Sequence, residues 1–161
     1  MRENTLVPTP CFASGSQLIP SMSPDEINGV AGLERQALTV PQLAIQTQHI
    51  LHGGIYTRTV RIPADVLIIG ALIVRPTILT LSGDCLMYAG GEPQRVTGYA
   101  VMPASANRKN VFWAITETML SLSFKTDALT VEQAEAELTP ETEKLLSRHG
   151  SAHNIYCVTG V

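Results

Sequence analysis

Four histidines, three cysteines and one Tyr-x-Arg pair are the side chains of this sequence with the most obvious chemistry to offer. His49 and His52 stand three apart at the start of a β-rich stretch. On a strand that spacing puts two side chains on opposite faces, so they do not pair as metal ligands and read as ordinary loop histidines. His149 and His153 lie far off, near the C-terminus. Cys11, Cys85 and Cys157 are odd in number and widely spaced, without the paired spacing of a zinc site or a redox motif, and read as free thiols. There is no Gly-x-Ser-x-Gly nucleophile elbow and no Gly-x-x-x-x-Gly-Lys phosphate loop; Gly53-Gly54 and Gly90-Gly91 read as hairpin glycines. Tyr56 and Arg58, two apart, share one side of a strand. If that side is the interior, Arg58 needs an acidic partner or a bound anion, which makes the pair a candidate pocket for a small anionic ligand. If it is the exterior, Arg58 suits a contact between subunits.

The elements that must position these residues fall into three regions. Residues 1–48 hold five of the ten prolines and few periodic apolar residues, as an arm that orders itself against something else would. Within it Ser23, Pro24, Asp25 and Glu26 make an N-cap, a first-turn proline and an acidic first turn, and predict a short helix that Gly29 and Gly32 weaken. Residues 49–127 predict a barrel of short strands: Ile55 to Ile62, Val66 to Val74, Ile78 to Leu81, Cys85 to Tyr88, Gln94 to Val101 and Met119 to Lys125. The turn signals between them are Pro63-Ala64-Asp65, Arg75-Pro76, Ser82-Gly83-Asp84, Gly90-Gly91 and Pro103-Ala104-Ser105. Leu67-Ile68-Ile69 does not alternate, and predicts burial on both faces. Residues 128–161 form an acidic, helical tail. Thr130 and Gln133 fit a capping box for a helix through Leu138; Thr139-Pro140-Glu141 opens a second, ending near Gly150; Asn154 to Val158 predicts a strand on this chain or another.

The 161 residues are 45% hydrophobic with a formal net charge of −3, enough for one core and its extensions. The longest basic cluster is Arg108-Lys109, which gives no footprint for sequence-specific nucleic acid. The N-terminal residues lack the basic start and apolar run of a secretion signal, and no stretch reaches the ~18 apolar residues of a membrane span. The expectation is a protein of the cell interior, or one made there and built into a larger particle. Residues 50–126 carry seven basic against four acidic side chains, whereas after Thr126 six acidic face two basic. Such a tail could pack on its own barrel, on a neighbouring copy, or simply be a solvated helix face.

Gly54-Ile55-Tyr56-Thr57-Arg58, Ile62-Pro63-Ala64, Leu67, Gly70, Leu81-Ser82-Gly83, Pro103 and Arg108, followed by the acidic helix Val131 to Leu138, resemble the small cupin proteins encoded by tailed phages and prophages. The resemblance spans roughly residues 50–138. It implies an all-β fold with minor α, a cupin-type double-stranded β-helix or jelly roll, with an extended N-terminal arm and C-terminal helices, usually a dimer or higher oligomer. It also carries the family's metal-ligand positions onto Thr59, Ile73, Thr77 and Phe124. None of these offers the imidazole, carboxylate or thiolate that a divalent metal wants. The expectation is therefore no metal, no cofactor and no enzyme. What the resemblance implies instead is a structural protein of the virion, made in the host bacterial cytoplasm and binding itself and other virion proteins through its arms, with no membrane partner. The alternative is a soluble, metal-independent cupin that binds or converts a small anion at Tyr56 and Arg58.

Overall fold

The structure, a computed structural model, describes residues 18–148 and 153–160. Cys11, His149 and Gly150 lie outside them. Strands β1 (Gln46–His52), β2 (Ile55–Ile62), β3 (Leu67–Ile69), β4 (Thr77–Tyr88), β5 (Gln94–Ala104), β6 (Val111–Ala114), β7 (Thr118–Lys125) and β8 (His153–Thr159) form one curled sheet. Its order is β3-β6-β4-β7-β2-β1-β8, with β5 also paired to β4. Helices α1 (Pro24–Ala37) and α2 (Val131–Leu138) and two 3-10 turns, Thr142–Lys144 and Leu146–Arg148, complete the chain. This is the all-β jelly-roll arrangement with minor α that the sequence implied. No helix among the described residues is long and apolar enough to cross a membrane.

Register places the core. Three cross-strand rows point inward: Leu51–Tyr56–Phe124, His49–Arg58–Leu122–Leu79 and Thr47–Val60–Leu120–Leu81. The lower barrel is apolar, with Val60, Ile62, Leu81, Cys85 and Phe112 buried together, while Tyr56, Phe124 and Ile73 meet α2 through Val131, Ala134 and Leu138 in a second cluster. Both helices start as their caps dictate. Ser23 Oγ accepts from the Glu26 amide at 3.3 Å and the Ser23 amide donates to the Glu26 carboxylate at 2.8 Å, and Thr130 accepts from the Gln133 amide at 3.2 Å.

Several boundaries differ from the sequence expectation. Ser82-Gly83-Asp84 is no turn: β4 runs straight through it. There β4 changes neighbours, pairing with β7 over Ile78–Ser82 and with β6 over Cys85–Tyr88. Gly83 (φ 146°) is needed because a Cβ would lie 2.5 Å from Thr118 Oγ1 and 2.8 Å from the Glu117 carbonyl oxygen. Pro63-Ala64-Asp65 is a turn, but the strands it joins do not pair with each other, since β2 pairs with β1 and β7 whereas β3 pairs with β6. The stretch 66–74 yields only the short β3 and a bridge at Ile73, and Leu67 is exposed where burial on both faces was expected. Strand β5 continues through Pro103, which is tolerated because its carbonyl points to the free edge and accepts from the Ile19 amide at 2.9 Å. The helix expected from Thr139 is two 3-10 turns, because Glu141 turns inward instead of continuing the helix. Strands β1 and β6, missed in the sequence, complete the sheet.

Candidate functional site

The candidate pair Tyr56 and Arg58 does face the interior, fully buried and nearly so, which removes the outward, subunit-contact alternative for Arg58. The acidic partner that an interior arginine demands is supplied by the chain itself. Arg58 Nη1 donates to Glu135 Oε1 on α2 at 3.0 Å and to Ser147 Oγ at 2.8 Å, and Ser147 Oγ donates to the same carboxylate at 3.1 Å. Arg148 Nε donates to the other oxygen, Glu135 Oε2, at 2.7 Å. Both carboxylate oxygens and the inner guanidinium nitrogen are thus spoken for, the condition under which a buried pair is tolerable.

His49, expected in a loop, lies inside β1 and is fully buried. Asn154 Nδ2 donates to the Ser147 carbonyl at 2.8 Å, which turns its Oδ1 toward His49 Nε2 at 3.1 Å. Nε2 therefore carries the proton, and Nδ1 accepts from the Tyr56 hydroxyl at 2.8 Å. Burial, with the Arg58 charge adding to it, holds the imidazole below its ordinary pKa of 6.5, against the Asn154 bond and the Glu135 charge. Burial likewise pushes the Tyr56 phenol well above the usual tyrosine value. Tyr156 of β8 stacks on the imidazole at 4.8 Å, and Phe124 meets Tyr56 edge-on at 5.7 Å. Such a Tyr–His pair could relay a proton, but neither side chain reaches solvent.

The four positions carried over as metal ligands do not converge. Ile73 and Phe124 pack with Tyr56 in the apolar cluster over α2. Thr77 accepts from Arg108 Nη2 at 2.6 Å. Thr59 lies on the opposite face of β2 from Tyr56 and Arg58, its hydroxyl 2.6 Å from that of Ser121. These residues do not fit a divalent cation, and among the described residues no three His, Cys, Asp or Glu side chains cluster as metal ligands.

A second ionic cluster closes the other side of the opening. Lys109 Nζ donates to Glu34 Oε1 at 3.1 Å and Glu141 Oε2 at 2.8 Å; Lys144 Nζ donates to Glu34 Oε2 at 3.1 Å and Glu141 Oε1 at 3.0 Å. This square joins α1, the barrel and the first 3-10 turn. Burial alone would raise the Glu141 pKa, but the bonds from Lys109, the Leu72 amide and Lys144 hold it down at about 2. Arg108 is 1% exposed and has no carboxylate partner among the described residues. Its bonds go to Thr77, to the Ser105 carbonyl and to the Arg75 carbonyl, its Nε has no partner among the described residues, and burial lowers its pKa to about 10. Between the clusters lies a cavity of about 90 Å³, lined by Arg58, Arg108, Asn110 and Lys144 and by apolar residues including Phe112 and Leu145. Neither Tyr56 nor His49 lines it. Cys85 is buried, its thiol pushed up to about 11 by burial and the nearby Asp84, and Cys157 is exposed.

Sequence reasoning reached Tyr56 and Arg58 and the need for an acid, but not which acid. The excess of acid after Thr126 was the available signal for Glu135 and Glu141, whereas His49, Asn154, Glu34 and Lys109 were missed and carry no local signal of their roles.

No protein-family model matches this chain, and no curated protein matches it. Solved structures that overlap it include the ectoine synthase from P. lautus, 14% identical over 66% of this chain and 85% of that one with a TM-score of 0.44. The cupin domain of Cnp3 from Schizosaccharomyces pombe is 13% identical over 66% and 77%, with a TM-score of 0.43. A cupin superfamily protein from Desulfitobacterium hafniense is 8% identical over 56% and 87%, with a TM-score of 0.43. The overlap is confined to part of each chain, and the fold rests on strand order and register.

Proposed function

We propose that this protein is a non-catalytic assembly subunit: a jelly roll whose opening is closed by its own C-terminal segment and whose outer surface holds neighbouring subunits. The observation that carries this reading is the engagement of Arg58 by Glu135 and Ser147 of the same chain, with Arg148 holding the other oxygen of that carboxylate. A barrel that acts on a ligand keeps convergent polar groups open to it, commonly around a pocket of ~300–1,000 Å³. Here the two ionic clusters, Arg58 with Glu135 and Lys109 and Lys144 with Glu34 and Glu141, satisfy their own charges, and the cavity between them is about 90 Å³. With the phage-like motifs of residues 50–138, this supports a place in a bacteriophage particle, as a head, neck or tail decoration or adaptor. Mass spectrometry of purified particles from a phage or induced prophage encoding the chain should find it in fixed ratio to the major structural proteins. Its absence from such particles would overturn the virion role.

A second reading, a metal-independent binder of a small anion, has one observation in its favour. Arg108 lines the cavity as a buried cation without a carboxylate. A thermal-shift series with acetate, phosphate and chloride decides it: stabilisation by one anion that disappears in Arg108→Met supports a ligand site, and equal response of both proteins removes it.

A further inference from the structure

Two buried cations of the barrel each meet a carboxylate that the fold brings from far along the chain: Glu135 for Arg58, and Glu34 with Glu141 for Lys109. Arg108 is the exception. It is 1% exposed, and no Asp or Glu among the described residues pairs with it. Its charge persists, because a guanidinium stays protonated at neutral pH even with its pKa lowered to about 10. Of the five N–H groups of an arginine, Nη1 uses two on the Ser105 and Arg75 carbonyls and Nη2 uses one on Thr77 Oγ1. The Nε hydrogen has no partner among the described residues, and one hydrogen of Nη2 is left beside it. A buried ion with neither a counter-charge nor full hydrogen bonding is among the costliest groups a core can hold. The chain supplies no anion at this point, so the charge calls for one from outside it.

We infer that the cavity beside Arg108 binds a short-chain monocarboxylate of about three to five carbons, its carboxylate on Arg108 and its aliphatic end among Ile68, Leu79, Phe112 and Leu120. The inference deepens the second reading above, a binder of a small anion, and rests on it. Charge sets the valence. Arg58 and Lys144 also line the cavity but are already paired, and no carboxylate lines it, so a monoanion balances Arg108 whereas a phosphate dianion overshoots. Donor geometry selects the head group. Nε and Nη2 flank one edge of the guanidinium, the side-on fork that a planar carboxylate fills with two parallel bonds and a spherical chloride does not. Asn110 adds a weakly engaged donor, since its Nδ2 reaches only the Tyr88 carbonyl at 3.5 Å and the Met22 sulfur at 3.9 Å. The remaining wall is aliphatic and aromatic, which an inorganic anion leaves uncovered and a hydrocarbon tail fills. Size limits that tail: an apolar cavity of ~150 Å³ holds a benzene ring, and this one is about 90 Å³. A water molecule satisfies the free donors but brings no charge. Leu145 and Leu146 of the closing segment complete the lining, so a bound ligand also fastens that segment to the barrel.

Isothermal titration calorimetry on the full-length protein, dialysed free of organic acids, tests this with the straight-chain series from formate to octanoate, with chloride and with phosphate, for the wild type, Arg108→Lys and Arg108→Met. The expected wild-type affinity rises roughly fourfold per methylene from acetate, peaks between propionate and valerate, and falls from hexanoate onward. Arg108→Lys, which keeps the charge and loses the fork, should bind butyrate roughly tenfold more weakly, and Arg108→Met should not bind it measurably. Should Arg108→Met fail to fold, the wild-type series and Arg108→Lys decide. Chloride or phosphate binding as tightly as butyrate, with no dependence on chain length, overturns this inference and leaves the small-anion reading standing. No binding by any of these anions overturns both. Affinity that climbs steadily to octanoate, or butyrate binding that both Arg108 variants retain in full, also overturns the inference, because the ligand then lies outside this cavity.

Discussion

At the residue scale, the charge on Arg58 ties the barrel to its C-terminal segment, and its energetics are testable by pairs. Removing Glu135 alone leaves a buried guanidinium facing Ser147 without a counter-charge, and removing Arg58 alone leaves a buried carboxylate held by Arg148 and the Ser147 hydroxyl. Breaking a buried pair from one side typically costs ~3–5 kcal/mol, whereas replacing both partners by apolar groups is often near neutral. Urea denaturation of Arg58→Met, Glu135→Leu and the double variant should show two large single losses and a double variant far more stable than their sum. Additive losses would mean that the two side chains contribute independently. Glu141 gives a pH prediction with a definite sign. Its folded pKa of about 2 lies below the ordinary 4.5, so the unfolded chain takes up the proton first and stability falls with falling pH through that window. Melting temperature should therefore drop between about pH 4.5 and 2, and the slope there should be shallower in Glu141→Gln. An identical slope in both would place the acid sensitivity elsewhere.

At the element scale, what the sequence revealed and what it hid follow from the range of the interactions involved. Helices α1 and α2 were legible because Ser23 with Glu26 and Thr130 with Gln133 are local signals. Strand β2 was legible to the residue because its apolar run is framed by Gly54 and Pro63. Strand β1 was not, because its inward residues are Thr47, His49 and Leu51, and polar side chains on a buried face break the alternation that marks a strand. Gly83 misled for the opposite reason: it serves a close approach from the distant β6–β7 loop, which no local pattern encodes. In the site, Arg58 announced its need for an acid, but Glu135 stands 77 positions away and only the fold could choose it. Strand β8 depends on such distant contacts too. It pairs in parallel with β1, and its Asn154 and Tyr156 cover His49. A chain ending at Arg148 should keep its barrel but expose the imidazole. Proton NMR should then show His49 titrating closer to 6.5, above its depressed value in the full chain. Because a depressed histidine makes the unfolded state the better proton binder, the full chain should also lose stability as pH falls below about 6.5, and the truncated chain should lose less. An unchanged His49 titration would show that β8 is not what shields it.

At the scale of the whole molecule, the division into arm, barrel and tail does not survive as a division of packing. Residue Glu34 from the arm and Glu141 and Lys144 from the tail meet Lys109 of the barrel in one ionic square, and Ala134 and Leu138 of α2 are wholly buried against Leu51 and Tyr56. The C-terminal segment through Arg148 is thus the barrel's closing layer, whereas β8 is an addition at its edge. The two predict opposite responses to shortening. Ending the chain at Asp127 would expose Leu51, Tyr56 and Phe124 together. It would also leave Arg58 without Glu135 and Lys109 without Glu141, losses of several kcal/mol each in a fold whose whole stability is ~5–15 kcal/mol. That protein should show no cooperative melting transition and should bind a hydrophobic dye, while the chain ending at Arg148 should melt cooperatively. Cooperative melting of both would make the barrel an independent unit with a detachable tail, and the C-terminal helix would then be free to act as a latch between subunits.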